Sequence, residues 1–113
     1  MMNSMKWQDL CSRDDLVPGS GVAVKIGDQA AALYWPDAAK EQLYALCHRD
    51  PFSQAEVLAW GLLCEQEGDW SVAAPLYKQH FRLRDGVCLE QPDIVLPRWP
   101  VRFNGDRVEV GIG

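Results

Sequence analysis

The chain has 113 residues, of which 48% are apolar and 24% are charged, and its formal net charge is -5 at pH 7. These values predict one globular domain over residues 1–113, large enough to bury a core without disulfide or metal support. The acidic balance excludes a general nucleic-acid binder, because phosphate contacts need a basic surface, and it favours a protein or small-molecule partner.

The amino-terminal stretch MMNSMKWQDL has no apolar segment of the kind found in secretory signals. No apolar run approaches membrane-spanning length, so we expect a cytoplasmic protein. The four cysteines, in a reducing compartment, are then expected to be free thiols.

Short segments separated by Gly, Pro, Asn and Asp predict strands along the whole chain, as in an all-β sandwich or barrel. The strands predicted in the first half are residues 7–11, 21–27, 29–35 and 42–47, with a turn at 18–21. Val22, Val24 and Ile26 alternate and should share one face. The last three of these strands are expected to form a meander.

The second half is predicted to contain one short helical turn and several hairpins. Ser53, with Glu56 three residues later, has the spacing of a helix N-cap, which places the turn within 53–61. The predicted turns are at Gly68–Asp69, Asp85–Gly86 and Asn104–Gly105. In the last strand, Val108, Val110 and Ile112 are expected to point inward.

The segment 77–84 alternates strictly between two sets of side chains. Tyr77, Gln79, Phe81 and Leu83 fall on one face of a predicted strand, and Lys78, His80, Arg82 and Arg84 fall on the other. A basic stripe on an acidic protein predicts a docking surface for an acidic partner. The alternative is a solvated strand whose charges protect a sheet edge.

Candidate metal or catalytic residues form no recognised motif. Cys47 and His48 are adjacent, so in a strand their side chains point to opposite faces. Cys64, His80 and Cys88 have neither CxxC nor HxxxH spacing. The pattern favours buried thiols and surface or hydrogen-bonded histidines over a zinc or catalytic centre.

Two proline loops, DPF at 50–52 and APLYKQ at 74–79, together with FRLRDGVC and VRFNGDRVEV, resemble the Rieske [2Fe-2S] domain. In that family a Cys-x-His pair on one loop and a Cys-x-x-His pair on another hold the cluster. The resemblance places Asp50 and Phe52 at the first pair of ligand positions, and Ala74 and Tyr77 at the second. Phe and Ala have no donor atom and carboxylate or phenol oxygens are poor substitutes, so no cluster is expected.

Over essentially its whole length the chain is similar to the cluster-free, Rieske-like small subunits of cytoplasmic NAD(P)H-dependent nitrite reductases. KWQDLC, DDLVPGSGVAV and GLLCEQEGDWSVAAPLYKQHFRLRDGVCLE carry this similarity. It implies an all-β, Rieske-like antiparallel sandwich or barrel of short strands with at most one short helical turn. It also implies a non-catalytic chain without a cofactor, whose partner is a large subunit that carries FAD, an iron-sulfur cluster and sirohaem and converts nitrite to ammonium.

The loss of a cluster leaves space inside a packed domain, so we expect Phe52 and Tyr77 to fill it. Asp50 should then accept hydrogen bonds from loop N–H groups or from the Tyr77 hydroxyl. Two alternatives stay open. One is a Rieske-type electron carrier with atypical ligands drawn from Cys47, His48, Cys64 and His80, and the other is a free-standing binding module that shares only the fold.

Overall fold

The computed structural model describes residues 5–112 and confirms the predicted all-β fold, with ten strands in three antiparallel sheets over that range. The strands are β1 (Lys6–Ser12), β2 (Ser20–Ile26), β3 (Gln29–Trp35), β4 (Tyr44–Cys47), β5 (Leu62–Gln66), β6 (Asp69–Ala73), β7 (His80–Arg82), β8 (Arg98–Trp99), β9 (Val101–Asn104) and β10 (Arg107–Ile112). Within the same residues, no helix has the length and hydrophobicity needed to cross a membrane.

The three sheets combine local hairpins with two long-range pairings. The predicted meander is confirmed as β2-β3-β4, which β8 extends, and β5-β6-β7 forms a second sheet. The third sheet joins the first strand to the last hairpin in the order β1-β10-β9. Pairing β1 with β10 brings the two ends of the described chain together.

The core is formed by the inward faces of these strands. Its largest cluster contains Tyr34, Leu46 and Phe81, all 0% exposed, and the Tyr34 hydroxyl donates a hydrogen bond to the Leu58 carbonyl. Val108 is buried in a second cluster. Val22 and Val24 pack half-buried against the core and Ile26 is buried, as predicted.

Ile112 was expected to point inward with Val108 and Val110, and this prediction is wrong. Val108 and Val110 are 0% exposed, but Ile112 is 36% exposed. Ile112 pairs with Lys6 at the last rung of the β1-β10 ladder. The alternation of the strand therefore continues past the point where the core ends.

The described chain contains two 3₁₀ helices, where at most one short helical turn was predicted. The first, Arg13–Asp15, is capped by a box in which Ser12 accepts from Asp14 N–H while its own N–H donates to Asp15. The second, Leu58–Trp60, lies within the predicted segment 53–61. Ser53 does not cap it, because the Ser53 hydroxyl donates to Asp50 and accepts from Ala55 N–H.

Strand β7 is shorter than the predicted strand over 77–84. Only His80–Arg82 pair with β6, and Lys78 has φ of +66°, outside extended geometry. The preceding hairpin turns at Glu67–Gly68, one residue earlier than predicted, since both residues have positive φ (53° and 81°). The terminal hairpin turns one residue later than predicted, at Gly105–Asp106, because Asn104 pairs with Arg107.

Candidate functional site

The two proline-containing loops have the same backbone form. Loop one is residues 50–55, after β4, and loop two is residues 74–79, between β6 and β7. In each loop the first N–H donates to the carbonyl five residues later, and the first carbonyl accepts from the N–H four residues later. The donor–acceptor distances are Asp50 N to Ala55 O 2.9 Å, Gln54 N to Asp50 O 2.8 Å, Ala74 N to Gln79 O 2.8 Å and Lys78 N to Ala74 O 3.0 Å.

Both loops close through a residue in the left-handed region, because Gln54 and Lys78 each have φ of +66°. A non-glycine residue there is uncommon and adds strain, which the surrounding hydrogen bonds must offset. The shared form supports the alignment of Pro51 with Pro75 that the sequence suggested. The two loops are therefore a matched pair and not unrelated turns.

Asp50 organises loop one from a fully buried position. Its carboxylate accepts hydrogen bonds from the Phe52 N–H at 2.9 Å and from the Ser53 hydroxyl at 3.1 Å, while the residue is 0% exposed. This is an Asx turn, in which a short acidic side chain fixes the following backbone. The expected acceptance from a loop N–H is confirmed, whereas Tyr77 is not a hydrogen-bond partner of Asp50.

The space between the loops and the core is filled by Phe52 and Ala74, and not by Tyr77. Phe52 is half-buried and packs on the main core cluster, with its ring centroid 6.2 Å from that of Phe81. Ala74 is 0% exposed. Tyr77 is 59% exposed, so the prediction that it fills the space is wrong. It lies just before Lys78, where loop two closes, and its ring is in solvent.

The basic stripe expected over Lys78, His80, Arg82 and Arg84 is interrupted by acidic neighbours. His80 contacts Glu90 at 2.7 Å, Arg82 contacts Asp85 at 2.7 Å and Arg84 contacts Asp69 at 3.1 Å. The hydrogen bond from Arg82 holds the pKa of Asp85 below its ordinary value. Since charges that are paired locally project less field, this strand offers a weaker positive surface than its sequence indicates.

Lys78 differs from the other three basic residues. It lies in loop two and not on the strand, and it forms no salt bridge within residues 5–112. The alternation that placed it on a strand face with His80 is therefore wrong. Lys78 follows Leu76 and Tyr77 in the sequence, and both of these residues are exposed.

His48 connects loop one to the second 3₁₀ helix. Its side chain is buried, Nδ1 accepts a hydrogen bond from the Ala59 N–H at 3.1 Å, and its ring contacts the edge of Trp60 at 4.9 Å between centroids. Because Nδ1 is an acceptor, the ring is neutral with its proton on Nε2. Burial lowers the pKa of His48, and the nearby Glu56 carboxylate opposes this with a smaller effect.

Acidification through the range in which histidine titrates should therefore destabilise the fold. The unfolded state binds a proton at His48 more readily than the folded state, so the free energy of unfolding should fall as the pH drops below about 6.5. His48→Asn, which offers an acceptor near Nδ1 but does not titrate, should show a smaller fall between pH 8 and pH 5.5. Urea unfolding of both proteins at the two pH values measures this, and equal falls would contradict the assignment.

Comparison with known proteins places nearly the whole chain in one protein family. Residues 6–111 match the model of the Rieske-like [2Fe-2S] domain. The chain is 36% identical over 105 residues to the nitrite reductase (NADH) small subunit of Escherichia coli K12, covering 93% of this chain and 96% of that protein. The chain belongs to the Rieske-like family of nitrite reductase small subunits.

A solved structure of a related protein has the same fold as this chain. The NMR structure of the Escherichia coli protein NirD superposes with a TM-score of 0.87 at 35% identity, over 97% of this chain and 99% of that one. The nitrite reductase [NAD(P)H] large subunit of Klebsiella oxytoca also contains a matching segment, 36% identical over 108 residues. That segment corresponds to 96% of this chain and to 11% of the large subunit.

The residues of this family member do not fit the [2Fe-2S] cluster for which the wider domain is named. A Rieske cluster needs two thiolates and two imidazoles from its two loops. Here Phe52 and Ala74 have no donor atom, Tyr77 points into solvent, and both carboxylate oxygens of Asp50 are used within loop one. Among residues 5–112, no group of three or more His, Cys, Asp or Glu side chains could hold a metal ion.

Three of the residues considered as atypical ligands, His48, Cys64 and His80, have hydrogen-bond partners elsewhere in the protein. Nδ1 of His48 is occupied by Ala59 N–H and Nδ1 of His80 by Glu90. The thiol of Cys64 lies 3.6 Å from the Leu62 carbonyl. All four cysteines, which lie within the described residues, are free thiols as predicted.

Sequence reasoning missed a set of exposed apolar side chains at the loop end of this domain. Trp60, Leu62, Leu76 and Tyr77 are each more than half exposed. No local pattern indicated this group, because Leu62 begins strand β5 and Tyr77 fits the alternation of segment 77–84.

Proposed function

We propose that this chain is the non-catalytic small subunit of a cytoplasmic NAD(P)H-dependent nitrite reductase, which converts nitrite to ammonium. The observation that carries the proposal is the 36% identity to the Escherichia coli small subunit, which spans nearly the full length of both proteins. Its partner would be a large subunit that holds FAD, an iron-sulfur cluster and sirohaem. The four free thiols are consistent with a reducing compartment.

The Klebsiella oxytoca relative supports the partnership from a separate direction. Its large subunit contains, within one polypeptide, a segment that matches 96% of this chain. A domain that is fused to its partner in one organism and separate in another is expected to bind that partner. The role would then be to stabilise the large subunit or to shape access to one of its centres.

The donor set of the two loops argues that this chain does not relay electrons itself. Without thiolates and imidazoles at Asp50, Phe52, Ala74 and Tyr77, these loops cannot hold a Rieske cluster. The contribution of the chain to turnover must then come from contact with the large subunit. This favours a supporting subunit over an electron carrier with atypical ligands.

Reconstitution of the enzyme tests this function. The purified large subunit is assayed for nitrite-dependent NAD(P)H oxidation with and without an equimolar amount of this chain. We expect the two proteins to co-elute in gel filtration and the activity, or its half-life on warming, to increase when the chain is present. Separate elution together with unchanged activity and half-life would contradict the proposal and favour a free-standing binding module.

A further inference from the structure

We propose that the exposed apolar side chains around the two proline loops form the surface through which this chain binds the large subunit of nitrite reductase, with Lys78 facing an acidic side chain of that partner. This inference rests on the proposed function. We call the surface formed by Trp60, Leu62, Leu76, Tyr77 and Lys78 the loop-end surface.

The exposure of these residues is the first argument. Trp60 is 65% exposed, Leu62 73%, Leu76 57% and Tyr77 59%. Single exposed apolar side chains are ordinary on a protein surface, but a group of large ones in one region is typical of an interaction site. Tryptophan and tyrosine are also among the residues that contribute most to binding when an interface covers them.

The topology places the four apolar residues at one end of the domain. Leu62 pairs with Ala73, the residue immediately before loop two. Gly61 lies so close to β6 that a Cβ atom on Gly61 would approach the Ala73 carbonyl oxygen to 2.5 Å. Trp60 contacts His48, two residues before loop one. The segment 60–62 therefore lies against the residues that lead into both loops.

Trp60 is held on a rigid support, which favours binding over chance exposure. The 3₁₀ helix that ends at Trp60 is anchored by the His48 carbonyl, which accepts from Val57 N–H and Leu58 N–H. The Leu58 carbonyl in turn accepts from the buried Tyr34 hydroxyl. A fixed aromatic side chain loses little conformational freedom when a partner covers it.

The charge on the surface indicates what kind of protein covers it. Lys78 follows the exposed Leu76 and Tyr77 in loop two and forms no salt bridge within residues 5–112, unlike Arg82 and Arg84. Burial of this ammonium group in an interface requires an acidic partner residue. In a two-fold dimer centred on loop two, a second copy of the chain would instead bring the two Lys78 side chains towards each other. The large subunit is therefore the favoured occupant.

Binding of the isolated large subunit to variants of this chain tests the surface, with titration calorimetry as the measurement. Leu76→Asp and Trp60→Ala should each weaken binding at least about tenfold, and Lys78→Glu at least about fivefold, since they alter central contacts. Leu76→Asp is the more secure variant because Trp60 also contacts His48 and its loss could disturb folding. Thermal unfolding of each variant verifies the fold.

Two control variants alter exposed residues elsewhere. Val17→Asp changes a valine that is 60% exposed and is not part of the loop-end surface; it precedes Gly19, whose N–H donates to the Trp35 carbonyl. Arg84→Glu reverses a charge of the predicted basic stripe. Both controls should bind within about twofold of the unaltered chain, as rim or remote positions do.

The outcomes separate this inference from the proposed function. Loss of binding in the loop-end variants with intact controls supports the surface. If the unaltered chain binds and Leu76→Asp and Lys78→Glu bind equally well, the surface is wrong while the partnership stands. If the unaltered chain does not bind at all, both proposals fail. Self-association that Leu76→Asp abolishes, with large-subunit binding unchanged, would assign the surface to a second copy and overturn the inference.

Discussion

Phe81→Ala is expected to lower the free energy of unfolding by about 3–5 kcal/mol, the cost of removing a large aromatic side chain from a core that cannot collapse around the gap. Phe81 is 0% exposed and belongs to the largest core cluster. Its strand, β7, has only three residues, His80–Arg82, and Phe81 is the one that is buried in the core. Urea unfolding with a fluorescence readout measures the loss.

Tyr77→Ala is the matched control, because the sequence places Tyr77 and Phe81 on the same face of one strand. In the structure Tyr77 is 59% exposed in loop two, so its removal should change stability by no more than about 0.5 kcal/mol. Losses of similar size in the two variants would mean that the strand extends to Tyr77 and that its ring is buried. That result would contradict the fold of loop two.

Phe52→Ala should destabilise the domain by about 2–4 kcal/mol, somewhat less than a fully buried phenylalanine because its ring is half-buried. The side chain fills the space between loop one and the core, with its ring 6.2 Å from that of Phe81. Replacement by alanine leaves a gap. The loop cannot move in to close it, because the hydrogen bond from Phe52 N–H to Asp50 holds the loop backbone in place.

Phe52→Leu is the control for this prediction. Leucine keeps most of the apolar volume, and volume-conserving exchanges usually cost less than about 1.5 kcal/mol. The two variants are compared by urea unfolding at one pH above 7, where His48 does not titrate appreciably. If Phe52→Ala loses less than about 1 kcal/mol, the aromatic ring is not what fills the space between the loops.

The parts of the fold that follow from local sequence were predicted well. Short segments bounded by Gly, Pro and Asp were enough to place β2 and β3 to within one residue, and the meander β2-β3-β4 follows from short connections. The pairing of β1 with β10 could not be read in the same way. It joins strands about a hundred residues apart, and no local pattern specifies which distant strand edge will be the partner.

The prediction of one strand over 77–84 failed because a period-two pattern does not show where a strand begins. The positive φ of Lys78 depends on the hydrogen bonds that close loop two, which involve Ala74 and Gln79. The ion pairs that neutralise Arg82 and Arg84 involve Asp85 and Asp69, and the second of these comes from another strand. Net charge and spacing alone therefore overestimated the basic stripe.

The candidate site was predicted in part, and by family resemblance more than by chemistry. The two proline loops were recognised, and a hydrogen bond from a loop N–H to Asp50 was expected because Asp50 stands at a ligand position of the lost cluster. The exposed group around Trp60 was not anticipated. Whether an apolar residue is buried depends on the packing of distant strands, which the sequence of the segment does not contain.

We infer that side chains occupy the place of a cluster in these loops, so that the chain acts by contact and not by electron transfer. The most direct test of this inference is the iron and acid-labile sulfide content of the chain after anaerobic purification, with the visible absorption spectrum recorded on the same sample. We expect a colourless protein without stoichiometric iron or sulfide. Two iron and two sulfide per chain, with the visible bands of a [2Fe-2S] centre, would contradict it.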